Sequence, residues 1–176
     1  MKITRRGVLA GAAAVSTAGL AQWRWLQGSK GNAVLLFDEK LSAGRRFAEA
    51  GRAAGGRVRP LTGDRIRLAR AELALRPAVI LGVSRYADAM MIADVAREAG
   101  YVRTAEFGAK ADRCTLEECN PAFARHGQRV QSAQAKWPEL LAHWASADDS
   151  SAWAAPMSHA EPDPGLVLGW ALHPRA

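Results

Sequence analysis

Four strand-like runs separated by three amphipathic stretches succeed one another between residues 33 and 107, and this alternation restricts the fold more than any other feature of the chain. Ala33-Val34-Leu35-Leu36-Phe37 is continuously apolar, as a strand buried on both faces must be. Helical spacing follows: Ala43, Phe47, Ala50 and Ala54 recur on one side while Arg45, Arg46, Glu49 and Arg52 fall elsewhere. Ser42 is placed to cap that helix and Gly55-Gly56 to end it. Arg57-Val58-Arg59-Pro60-Leu61 alternates, and Pro60, with no amide for a ladder, predicts an edge or a strand end. After the turn Thr62-Gly63-Asp64, the residues Ile66, Ala69 and Leu73 mark a short helix with Arg65, Arg67, Arg70 and Glu72 outside, stopped before Pro77. Ala78-Val79-Ile80-Leu81-Gly82-Val83 is the clearest strand. Ser84 is placed to cap the next helix, whose apolar stripe of Met91, Val95 and Ala99, with Ile92 beside it, ends at Gly100. Tyr101 to Phe107 resumes a strand-like pattern.

Strands alternating with helices imply parallel pairing through right-handed crossovers. Periodicity lapses from 108 to 136, an irregular excursion that holds both cysteines and the Asn120-Pro121 turn signal. It returns at Trp137-Pro138, where proline suits a first helical turn and Trp137, Leu141 and Trp144 share a face. Asp148 to Gly165 reads as a loop, and Leu166 to Leu172 as a last strand. The expectation is one three-layer α/β domain over residues 33–176 with a mostly parallel sheet, flavodoxin-like or Rossmann-like in layout by analogy alone. Residues 22–32 read as a linker.

The start of the chain has a different character. Lys2, Arg5 and Arg6 precede the uncharged, alanine-rich run Gly7 to Leu20, and a small-residue exit lies at Gly19-Leu20-Ala21. Thr4-Arg5-Arg6-Gly7-Val8-Leu9 resembles the twin-arginine signal of bacteria, Ser/Thr-Arg-Arg-x-apolar-Leu. No Asp or Glu occurs before Asp38, which an ordinary surface helix would not sustain. The apolar run is shorter than the roughly 20 residues of a membrane-crossing helix. The resemblance implies a signal peptide over residues 1–21, passage through the twin-arginine translocase and residence in the periplasm. An uncleaved signal would be the sole route to a membrane.

Removal of residues 1–21 leaves 155, enough for one real core. With 21 basic residues against 17 acidic ones, the remainder carries only +4, and its arginines are interspersed with acids. Solvated helix faces explain that pattern better than nucleic acid does. No G-x-G-x-x-G follows the first strand and no G-x-x-x-x-G-K-[ST] occurs, so no nucleotide cofactor is expected. A G-x-S-x-G elbow and an H-E-x-x-H pair are also missing from the sequence.

In an open parallel sheet, ligands bind beyond the carboxyl ends of the strands. Those ends carry Asp38 and Ser42 after the first strand, Thr62 and Asp64 after the second, and Ser84 and Arg85 after the third, which makes these six the candidate ligand-binding residues. Capping alone would account for Ser42 and Ser84. Arg85 and the amides at the helix starts favour an anion, while Asp38 and Asp64 select one that also donates hydrogen bonds.

Cys114 and Cys119, five positions apart in a chain bound for an oxidising compartment, read first as a local disulfide, next as two thiols and last as metal ligands with His126. A closed zinc site wants a fourth ligand that the sequence does not offer, so no metal is expected. Trp137, Trp144 and Trp170 suit the sheet or its core; Trp23 and Trp25 suit a membrane interface, a partner or a packed arm. With no nucleophile or metal set evident, the expected function is non-catalytic: small-ligand binding, or service as an accessory to another exported protein. The alternative is a small hydrolase or transferase working at the strand ends.

Overall fold

The computed structural model describes residues 32–108, 136–144 and 163–175. Within them five strands, β1 (Ala33–Phe37), β2 (Arg57–Pro60), β3 (Val79–Arg85), β4 (Tyr101–Gly108) and β5 (Val167–Pro174), form one sheet in the order β2-β1-β3-β5-β4. Helices α1 (Ser42–Ala53), α2 (Arg65–Ala74), α3 (Tyr86–Glu98) and α4 (Trp137–Trp144) cover it, giving a mixed α/β domain. Every apolar run foreseen from 33 to 107 is a strand at the expected place.

The pleat of β1 explains the two-sided burial. Leu35 and Phe37 point into a core shared with Phe47 of α1 and Leu141 and Trp144 of α4. Val34 and Leu36 point the other way, into a core shared with Leu73 of α2 and Ile92 and Val95 of α3. The crossover from β1 to β2 therefore lies on one face. The crossovers from β2 to β3 and from β3 to β4, which travel the opposite way along the sheet, lie on the other, as one constant hand of connection requires.

The sheet is mixed, which corrects the expectation of a mostly parallel one. β1 pairs in parallel with β2 and β3, but β5 inserts antiparallel between β3 and β4, with Val167 opposite Arg85 and Leu172 opposite Ile80. The chain re-enters the sheet at its carboxyl edge, so β5 runs back toward the amino edge. A strand reached through a long connection is free to run either way, and its apolar pattern is the same in both directions.

Two glycines make room for indoles and helices. Gly82 of β3 lies opposite Trp170, and a Cβ there would collide with the indole ring. On the other face Gly169 leaves space for Trp137 and Leu141. Helices α1 and α4 are also joined by a bidentate pair, Arg46 Nε to Glu139 Oε1 at 2.6 Å and Nη2 to Oε2 at 2.7 Å.

Three local expectations shift. Glu72, expected outside α2, is 3% exposed and accepts from Arg57 and Arg59 of β2, whereas Ile66 is 43% exposed. Two guanidiniums make that burial affordable. On α3 the buried stripe is Ala89, Ile92, Val95 and Ala96, with Met91 and Ala99 outside. The run Ala89 to Ala96 is apolar enough to support several phases.

Candidate functional site

Connections from β1 and β3 leave toward opposite faces, so the switch point of the sheet, the place where open α/β sheets bind ligands, falls between these adjacent strands at the carboxyl edge. Asp38 follows β1 there, and its amide donates to the Val83 carbonyl at 2.9 Å, extending the parallel ladder by one residue. Its carboxylate is turned inward: Asp38 is 4% exposed. The Lys40 amide donates to Oδ1 at 3.0 Å, and the Leu41 amide donates to the Asp38 carbonyl at 3.1 Å, so the loop closes tightly. Gly44 in the first turn of α1 permits this, because a Cβ at that position would strike the Asp38 carbonyl oxygen.

Arg85, the last residue of β3, places Nε 3.7 Å from Asp38 Oδ2. That separation exceeds a direct hydrogen bond by more than half an ångström, and the guanidinium is about half exposed. The pair thus sets an outward cation beside an inward carboxylate, in ion-pair contact without a direct hydrogen bond. Asp38 and Arg85 are brought together as topology required.

The four other candidates are placed differently. Ser42 is not a cap: Leu41 holds the N-cap position without a side-chain bond, and Ser42 is the first residue of α1. The capping carboxylate comes from 121 positions away. Asp163 accepts from the Ser42 amide at 2.5 Å and from the Ala43 amide at 2.8 Å. A free anion seat at that helix start is therefore filled by the chain itself. Ser84 is not a cap either, since it lies in β3 with Arg85 as the N-cap of α3. Its hydroxyl is fully buried, accepts from Trp170 Nε1 at 3.0 Å and donates to the Arg85 carbonyl at 3.1 Å. This bond ties β3 to β5.

Thr62 and Asp64 lie at the same edge, just past the point where the Leu61 amide donates to the Phe37 carbonyl at 2.7 Å. Asp64 caps α2 by accepting from Ile66 and Arg67. The Arg67 amide is the main reason its carboxyl sits below the usual carboxylate range, against a smaller opposing effect of desolvation. Beside it Arg65 reaches Asp88 in the first turn of α3 at 3.3 Å and the Gly63 carbonyl at 2.9 Å, stitching α2 to α3. Sequence reasoning missed Asp163, Gly44 and the Arg65 to Asp88 pair. Each acts through a contact distant in sequence, and only the Pro-flanked position of Asp163 marks it locally as a loop residue.

Among the described residues no group of three or more His, Cys, Asp or Glu could hold a metal ion, and no helix is long and apolar enough to cross a membrane. Arg5, Arg6, Cys114, Cys119 and His126 lie outside the described residues. Protein-family models, curated proteins and solved structures give no match to this chain.

Proposed function

We propose that the chain is exported by the twin-arginine route to the periplasm and there binds a small anionic ligand that also donates a hydrogen bond, without transforming it. The observation that carries this reading is the Asp38 and Arg85 pair at the divergence of β1 and β3. The buried carboxylate accepts from a ligand N–H or O–H, and the half-exposed guanidinium takes the ligand's acidic group in a bidentate manner. Hydroxy acids and amino acids have that combination. The reading borrows from flavodoxin-like layouts only the switch point between the first and third strands.

The surrounding groups favour binding over catalysis. Ser84 has its hydroxyl engaged at both ends inside the sheet, and the amides of α1 that would steady a developing anion already hold Asp163. Calorimetric titration of the full chain with hydroxy acids, amino acids and inorganic phosphate tests the reading. One of these classes should bind, and Arg85→Ala should weaken it by about tenfold or more. Binding unaffected by Arg85→Ala would remove the site. Turnover of simple esters or phosphates lost in Asp38→Asn would favour the hydrolase alternative.

An accessory role beside another exported protein has one supporting observation. Tyr86 and Leu166 are 48% and 51% exposed next to Arg85, and the Tyr86 amide donates to the Leu166 carbonyl at 3.2 Å. Such an aromatic and aliphatic pair at a charged rim suits a partner's surface. Tyr86→Ser that abolishes copurification with a defined exported partner, while leaving small-ligand binding intact, would establish this second role.

A further inference from the structure

Two carboxylates among the described residues are buried, Glu72 and Asp38, and they are compensated differently. Glu72 accepts hydrogen bonds from two guanidiniums, those of Arg57 and Arg59. Asp38 has one cation, Arg85, held at 3.7 Å without a hydrogen bond. Its Oδ1 accepts from the Lys40 amide, and its Oδ2 accepts from no donor among the described residues. The Arg85 guanidinium, about half exposed, likewise donates to no acceptor among them.

The charge near this pair is one-sided. Asp163, brought to the same edge by its bonds to the Ser42 and Ala43 amides, forms no ion pair among the described residues. Lys40 and Arg45 are exposed, so water and salt screen them, and Arg45 donates to the Glu39 carbonyl. Two carboxylates at least partly withdrawn from water therefore stand against one guanidinium.

A ligand whose acidic group takes Arg85 draws away the one cation that Asp38 has. A hydroxy acid or inorganic phosphate brings negative charge alone, and it would leave three anions around a single guanidinium, with Asp38 buried and uncompensated. An amino acid replaces what it takes. Its ammonium gives Asp38 Oδ2 both a hydrogen bond and a positive charge, while its carboxylate lies on Arg85. Both groups sit on one carbon, a short span that suits a carboxylate and a guanidinium only 3.7 Å apart. Resting on the binding reading above, we infer that the ligand of this site is a zwitterionic α-amino acid, held by Asp38 at its ammonium and by Arg85 at its carboxylate.

Calorimetric titration of the full chain with matched ligands tests this: L-alanine against L-lactate, L-leucine against L-2-hydroxyisocaproate, and L-phenylalanine against L-phenyllactate. In at least one match the amino acid should bind about 30-fold more tightly than the hydroxy acid, because only the amino acid restores the cation. Its N-acetyl derivative, which has lost that charge, should bind no better than the hydroxy acid. Asp38→Asn should bring the two within about threefold of each other, whereas Arg85→Ala should weaken both. A hydroxy acid bound as tightly as its amino acid, or a preference for the amino acid that survives Asp38→Asn, would overturn the inference; binding still weakened by Arg85→Ala would then leave the site itself standing. No binding of any of these ligands or of inorganic phosphate would remove both. The comparison between ligands needs no variant, so it decides the matter even if Asp38→Asn does not fold.

Discussion

The indole of Trp170 spans two residues of the neighbouring strand: its ring rests over Gly82 and its Nε1–H donates to Ser84 Oγ at 3.0 Å. Trp170 is 1% exposed and Ser84 fully buried, so the bond is made in a place where water cannot replace it. Trp170→Phe should cost about 2–3 kcal/mol, combining lost packing with a buried hydroxyl oxygen deprived of its donor. Ser84→Ala in that background should recover part of the loss. Gly82→Ala should be destabilising by about 1–3 kcal/mol, because the added methyl meets a ring that has no space to retreat. Urea unfolding of the variants and the double mutant decides this, and additive effects of the Ser84 and Trp170 changes would contradict the coupling.

Asp163 supplies the cap that α1 does not supply for itself. Asp163→Ala removes a carboxylate from two amides at a helix start and should cost about 1–2 kcal/mol. Asp163→Asn, which keeps one acceptor oxygen, should cost less than Asp163→Ala. Ser42→Ala should be close to neutral, since the Ser42 side chain does not cap the helix. A larger loss from Ser42→Ala than from Asp163→Ala in thermal unfolding would show that the roles are reversed.

These two relationships mark what was legible in the sequence. Apolar periodicity reports burial and spacing, and it located β1 through β4 and their three helices. It carries no sign for strand direction, which is why β5 was readable as a strand but not as an antiparallel insertion. The Asp38 and Arg85 convergence followed from topology alone, because β1 and β3 are adjacent and parallel whatever β5 does. Ser42 and Ser84 sit where caps belong, but a carboxylate far along the chain takes one role and a buried indole claims the other hydroxyl. Glu72 was misplaced for the same reason: the arginines that draw it inward lie on another element.

The proposed routing depends on the arginine pair. A translocase that reads guanidinium geometry will not accept an ammonium in its place, so changing both Arg5 and Arg6 to Lys should leave unprocessed chain in the cytoplasm. Fractionation with an antibody to the folded domain measures this. Normal periplasmic levels of the double variant would exclude the twin-arginine route, without touching the fold or the ligand site.

His173 makes stability depend on mild acid. It is 9% exposed at the end of β5, and burial lowers its pKa from 6.5 to about 4, against a smaller opposing effect of a hydrogen bond with the Ala78 backbone. The neutral ring is therefore the form the fold accepts. Between pH 6.5 and about 4 the unfolded chain takes up a proton that the folded chain refuses, so stability falls as pH drops through that window. The full contribution, on the order of 3 kcal/mol, is present above pH 6.5 and does not change further toward alkaline pH. Urea midpoints of the parent should decline from pH 7 to pH 4.5, while those of His173→Phe should decline less. The difference between the two isolates this histidine from the carboxylates, which titrate in both proteins. Parallel profiles for parent and variant would mean that His173 is protonated in the fold as readily as in the unfolded chain.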